Sequence, residues 1–320
     1  MNPNRSSAQP LNRLVIDTDP GIDDVVTLAL AARSPELDIA AITTTYGNAT
    51  LEATMRNAYD LLRILGRTDI PLHPGADRPL ARALVTAPET HGETGVGHAP
   101  VRKVIRPPPL SRMLRDNPAL IEALSRAEGP VTLVTLGPLT NLAQALEHDE
   151  ALVRKRVTRH IGMFGTINAV GNTNRFADFN AWCDPEALDR VLRAGLPTEM
   201  VGLDVTRQMV FDADEVERFA ASTDPLVYWL GLALRFYVEF HRQAERLDGC
   251  VVNDVLTIGE LLDPGLLRFE DMRLAVDLNS GEHRGHTRVS SAGTPVRVAM
   301  GVDVARMRRL LGRVFGNLIQ

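Results

Sequence analysis

Leu14-Val15-Ile16-Asp17-Thr18-Asp19-Pro20-Gly21-Ile22-Asp23-Asp24 runs from an apolar triplet into four aspartates within eight positions. The triplet reads as a strand buried on both faces, and residues 25–33 behind the aspartates read as a helix. Pro20-Gly21 makes a tight turn between them, so carboxylates on either side of it can converge on one point. The same alternation continues along the chain. Residues 39–45 (IAAITTT) read as the next strand. Leu51, Met55, Tyr59, Leu62 and Leu65 then recur at spacings of three and four, which gives one apolar helical face. Pro71-Leu72-His73 returns to extended chain. Val131-Thr132-Leu133-Val134-Thr135-Leu136 is the clearest central strand, ended by Gly137-Pro138 before a helix that opens near Thr140. Residues 159–164 and 198–203 read as strands, 227–245 as a long helix and 295–302 as a late strand in a less regular tail. This order predicts a single α/β domain, with a largely parallel, Rossmann-like central sheet flanked by helices. The domain is expected over residues 13–320, behind a disordered polar tail, residues 1–12. Long loops at 74–109 and 166–180 follow strands, where ligands bind in such sheets.

The 320 residues are 44% hydrophobic and 23% charged, with a net charge of −5. That balance argues against a nucleic-acid polymer as partner, because phosphate binding needs a concentrated basic face. Arg154-Lys155-Arg156 reads as a solvated helix end. The two cysteines, Cys183 and Cys250, cannot form a disulfide framework or a zinc site alone and read as buried small residues. No apolar run nears the roughly 18 residues of a membrane span, and the first dozen residues lack a signal-peptide core. A cytoplasmic protein acting on a small molecule, with no membrane partner, is the expectation.

Four carboxylates this close repel unless a cation holds them or some are protonated. An all-oxygen set with no adjacent Cys or His suits a hard ion, Ca²⁺ or Mg²⁺. An Asp-rich helix start, with Asp23 as cap, explains one or two of them. An EF-hand loop counted from Asp17 fails, since its sixth and twelfth positions hold Ile22 and Leu28. A magnesium-dependent phosphohydrolase of the haloacid dehalogenase type also begins with a strand and two aspartates, but continues with Gly-Thr where this chain has Pro-Gly.

The segment 17–24 resembles the N-terminal signature of the inosine/uridine-type nucleoside hydrolases. The resemblance continues in order through ITTTYGN (42–48), HGETG (91–95), LGPLTN (136–141), Gly171-Asn172, ADFN (177–180), DPEA (184–187) and MVGLDVT (200–206). It implies calcium-dependent hydrolysis of the N-glycosidic bond of ribonucleosides, through an oxocarbenium-like transition state. Carried over by position, Asp19, Asp24, Asp254 and the Leu136 carbonyl would ligate the ion, and Asp19 would take the proton of the attacking water. Asp17 and Asp23 would orient those ligands. Asn48, Asn172, Asp178 and Asn180 would hold ribose, and His91 would sit over sugar or base. Relatives form dimers or tetramers, so a homodimer or homotetramer is expected.

Two departures from the family pattern stand out. Many relatives carry Glu where this chain has Asp178. Many also have a histidine before the last calcium-binding aspartate, held to protonate the departing base; here that residue is Asn253, which has no useful acidity. Back-counting from Asp254 puts Tyr237 and His241 at base-contacting positions, four residues apart on one helical face. His241 or Tyr237 is therefore the expected contact to the base and the expected aid to its departure, with His241 the candidate catalytic group. A relative that binds nucleosides without turnover is the alternative that Asn253 keeps open. Asp184, Glu186 and Asp204 read as structural.

Overall fold

The computed structural model describes residues 12–101, 118–316, 318 and 319. Eleven strands are found among them: β1 Asn12–Thr18, β2 Leu37–Thr44, β3 Leu72–Pro74, β4 Val131–Thr135, β5 Val157–Gly162, β6 Thr198–Met200, β7 Val210–Asp212, β8 Gly249–Val251, β9 Leu267–Val276, β10 Thr287–Val289 and β11 Thr294–Val302. Nine form one sheet in the order β10-β9-β11-β6-β5-β4-β1-β2-β3; β7 and β8 form a separate antiparallel pair. From β6 to β3 every pairing is parallel, and β11 joins β6 in parallel too. Only β9 runs against its neighbours β10 and β11.

β1 lies inside the sheet, between β4 and β2, because its side chains can be buried on both sides. Leu14 and Ile16 enter one core with helices Ile22–Arg33 and Pro225–Ala244, while Val15 enters another with helices Ala119–Arg126 and Thr140–Arg156. The sheet is thus the middle of three layers, as a buried parallel sheet requires. Strand order reverses between β1 and β4, and a crevice opens there at the carboxyl ends of the strands.

The expected elements recur with small shifts, and two carry a reason. The helix after the aspartates starts earlier, at Ile22, because the Asp24 carboxylate accepts the Gly21 N–H at 3.0 Å and stabilises the first turn. The strand expected over 198–203 stops at Met200, because Gly202 opens the short helix Leu203–Thr206. The irregular tail is in fact β9, β10, β11 and the helix Val304–Phe315. Asn12 already belongs to β1; the rest of the expected tail, like residues 102–109 of the first long loop, lies outside the described residues.

Candidate active site

A cavity of about 490 Å³ occupies the crevice. Asp23, Asn48, His91, Leu136, Asn172, Asp178, Asn180, Tyr237, His241, Asn253 and Asp254 all line it. The fold therefore brings together positions spread over more than half of the chain. Asp17, Asp19 and Asp24 are fully buried and do not line it.

Carboxylate oxygens of Asp23, Asp24 and Asp254 all lie within 4.8 Å of one another. Asp23, expected only to orient the others, is therefore part of this group, and Asp19 is not. Asp19 is still near enough for its charge to bear on Asp254. Burial, and after it the Asp24 charge, pushes Asp19 well above the usual carboxylate range. Burial first and Asp23 second raise Asp24 to about 7 and push Asp254 well up. Among the described residues no ion pair reaches any of these carboxylates. The Asp19 carboxylate is walled in on both sides. A Cβ on Gly47, at φ +152°, would stand 2.0 Å from its Oδ2, and one on Gly137 would stand 2.5 Å from its Oδ1. Its Oδ2 accepts the Asn48 N–H at 2.8 Å, but its buried Oδ1 has no partner. An orphaned buried oxygen beside a cluster of mutually repelling carboxylates fits a hard cation with oxygen ligands.

Neighbouring groups hold this cluster in place. Asn48 Nδ2 donates to Asp24 Oδ2 at 2.8 Å, so its amide braces a carboxylate as well as facing the cavity. Asp17 Oδ1 accepts from Thr43 and, at 2.7 Å, from Asn141 Nδ2, which fixes this buried carboxylate. Asn180 Nδ2 donates to the Leu136 carbonyl at 2.6 Å and leaves that oxygen a second lone pair. Asp178 caps the helix Phe179–Cys183. Its two oxygens take the backbone N–H groups of Gly165, Asn180 and Ala181, so this carboxylate shapes the loop wherever else it reaches. Asn172 is exposed at the mouth, with its Oδ1 on the Phe179 N–H at 2.8 Å.

The two histidines carry their hydrogens on opposite nitrogens. His91 Nδ1 accepts the Ile22 N–H at 3.1 Å, so the neutral ring bears hydrogen on Nε2. His241 Nδ1 lies 2.9 Å from the Tyr237 carbonyl, which can only accept, so its neutral ring leaves Nε2 bare. Burial lowers both rings, His91 to about 4. Asp23 Oδ2 accepts from the Tyr237 hydroxyl at 3.4 Å and from Asn253 Nδ2 at 3.2 Å. Asn253 Oδ1 takes the Thr206 hydroxyl at 2.9 Å, so this amide is fixed at both ends.

Residues 14–309 match the family described as inosine-uridine preferring nucleoside hydrolase. The chain belongs to the nucleoside hydrolase family. This nucleoside hydrolase is 37% identical over 299 residues to the pyrimidine-specific ribonucleoside hydrolase RihA of an Enterobacter species, covering 92% of this chain and 93% of that one. The RihA of Photobacterium profundum is 36% identical over 298 residues, covering 92% and 94%. Among solved structures it is similar to a plant nucleoside hydrolase, PpNRh1, with a TM-score of 0.87 and 32% identity over 96% of this chain and all of that one. A purine-preferring ribonucleoside hydrolase from Gardnerella vaginalis gives 0.86 at 27% identity, covering 96% and 99%. The nucleoside hydrolase is thus an N-glycosyl hydrolase of ribonucleosides.

Several groups at the hydrolase's site carry no local signal in the sequence. Arg207 and Glu245 line the cavity beside His241. Asn57 Nδ2 donates both to the Pro20 carbonyl at 3.0 Å, in the aspartate turn, and to the Thr94 carbonyl at 2.8 Å, in the His91 loop. Asp204 and Asp184 are structural, as expected. Asp204 takes three successive N–H groups, of Ile167, Asn168 and Ala169, at 2.7, 2.7 and 3.1 Å. Asp184 caps the helix Pro185–Ala194. Cys183 and Cys250 are buried, and no helix among the described residues is long and apolar enough to cross a membrane.

Proposed function

We propose that this hydrolase cleaves pyrimidine ribonucleosides to free base and ribose with the help of calcium. The observation that carries the reading is the cluster of Asp23, Asp24 and Asp254 carboxylates, of which Asp23 and Asp254 line the cavity and Asp24 lies buried behind them. The ion would be held by Asp19, Asp24, Asp254 and the Leu136 carbonyl, with Asp23 beside them. When bound, it supplies positive charge that acidifies water and attracts the ribose hydroxyls. Asp19 accepts the proton of the attacking water at its unpartnered Oδ1. Asn48, Asn172, Asp178 and Asn180 orient ribose through amide and carboxylate groups, which suit hydroxyls that donate and accept.

His91 offers its Nε2–H from above, and Tyr237 and His241 contact the base. His241 accepts at Nε2 when neutral and assists departure as an acid only in its imidazolium form. The pyrimidine preference follows relatives of 35–37% identity that are named pyrimidine-specific ribonucleoside hydrolases. The reading includes a cytoplasmic homodimer or homotetramer, checked by cell fractionation and light scattering. The deciding experiment measures base release from uridine, cytidine, inosine, adenosine and guanosine with and without a chelator. Chelator-sensitive release that is fastest from the pyrimidines is expected. Calcium binding without release would instead make the chain a nucleoside-binding relative.

A further inference from the structure

Arg207 follows the helix Leu203–Thr206, and Glu245 follows the helix Pro225–Ala244. The fold sets them side by side on the cavity wall, with Arg207 Nη2 3.5 Å from Glu245 Oε1. This is a loose pair, made by one nitrogen, with about a third of each side chain exposed. Most of the guanidinium donors are left over, and the buried Nε–H has no acceptor at all. A buried donor without a partner costs free energy, so the fold alone gives no reason for it.

The reaction does supply one. Breaking the glycosidic bond leaves negative charge on the base, and Asn253 and His241 are poorly placed to meet it. Asn253 is an amide already fixed between Thr206 and Asp23. The neutral His241 ring presents a lone pair rather than a proton.

We propose that Arg207 stabilises the departing base by donating to a carbonyl oxygen on its edge, while Glu245 holds the guanidinium against the wall. This rests on the hydrolase reading above. In the step the C1′–N1 bond breaks, and its electron pair leaves with the pyrimidine and spreads onto its carbonyl oxygens. The oxygen of water forms the new bond to C1′, and its proton passes to Asp19. The base departs as an anion and takes a proton from solvent, to which Asp19 returns its own. A guanidinium keeps its charge at any working pH and presents forked donors suited to a carbonyl oxygen.

The test compares Arg207→Met, Arg207→Lys and Glu245→Gln with the parent on uridine, 5-fluorouridine and p-nitrophenyl riboside, whose leaving groups depart with increasing ease. Arg207→Met is expected to lose roughly ten- to a hundredfold in kcat/KM on uridine. It loses less on 5-fluorouridine and little on p-nitrophenyl riboside, and Arg207→Lys recovers part of the loss. Glu245→Gln removes the neutralising charge and raises uridine turnover. An equal loss on all three ribosides, or parallel losses in Arg207→Met and Glu245→Gln, overturns the proposal, because the pair then only supports the wall. A parent that cleaves p-nitrophenyl riboside but not uridine keeps the hydrolase reading and ends the Arg207 assignment. A parent inactive on every riboside ends both.

Discussion

His91 Nδ1 accepts the backbone N–H of Ile22 at 3.1 Å, so the histidine that ends the short helix Pro88–His91 is seated on the first turn of the helix that carries Asp23 and Asp24. One hydrogen bond sets both the place of the ring and the nitrogen on which it carries hydrogen. It also satisfies one of the N–H groups that every helix start leaves free.

His91→Phe keeps a ring in this space and removes both of its polar ends. The Ile22 N–H is then buried without an acceptor, at a cost of about 1–3 kcal/mol in stability. Base release should fall roughly ten- to a hundredfold while calcium affinity, read by calorimetry, stays near that of the parent. A matching collapse of calcium affinity would show that His91 acts through the aspartates instead.

Asn57 joins the same two segments from the helix Leu51–Leu65, by donating to Pro20 and Thr94. Asn57→Ala leaves the buried Pro20 carbonyl without this donor and the half-buried Thr94 carbonyl with Arg56 alone, and the expected loss in urea unfolding is about 1–3 kcal/mol. KM should rise more than kcat falls, because the His91 loop loosens over an intact carboxylate group. Unchanged KM with a lower kcat would contradict this.

The carboxylates should make stability depend on the ion. Free calcium at a hundred times its dissociation constant adds about 2.7 kcal/mol to a fold that binds it only when native. A chelator should therefore lower the melting temperature, and Asp254→Asn should abolish most of that response. A melting temperature indifferent to both calcium and chelator would argue against any ion at this site.

His160 lies between β4 and β6, with Nε2 2.9 Å from the Thr135 hydroxyl and Nδ1 3.1 Å from that of Thr198. Burial lowers its pKa from 6.5 to about 4. Above pH 6.5 the ring is neutral folded or unfolded and contributes no pH dependence. Between 6.5 and 4 the unfolded chain binds the proton and the folded one does not, so stability falls as pH falls. The whole window corresponds to about 3 kcal/mol. The stability of the parent relative to His160→Gln should thus shrink between pH 7 and pH 4.5 in urea titrations. A constant difference would mean that the ring is protonated in place.

The parallel half of the sheet was legible because its strands are buried on both faces and read as apolar runs, Leu14-Val15-Ile16 and 131–136 above all. β9 was not. Arg268, Glu270, Asp271 and Arg273 interrupt Leu267–Val276, since much of this strand faces solvent. In the site, the aspartates stood out because no ordinary fold needs so many carboxylates in eight positions. That Asp23 rather than Asp19 joins Asp24 and Asp254 depends on where the first helical turn points its side chains, which spacing does not encode. Arg207, Glu245 and Asn57 are single polar residues at or within helices. Only the packing of distant segments gives them neighbours worth remarking.

The carboxylate of Asp204 grips three consecutive amides under a loop whose surface residues, Asn168 and Val170, stand in solvent. Amides there would otherwise exchange with water in moments; held from beneath, they should rank with those of a strand. The stretch of loop just ahead of Asn172, which does line the cavity, is then set in shape before any nucleoside arrives, and the entropy lost in ordering it belongs to folding rather than to binding. A substrate meets a rim that selects by fit, and not one that first has to be taught its form.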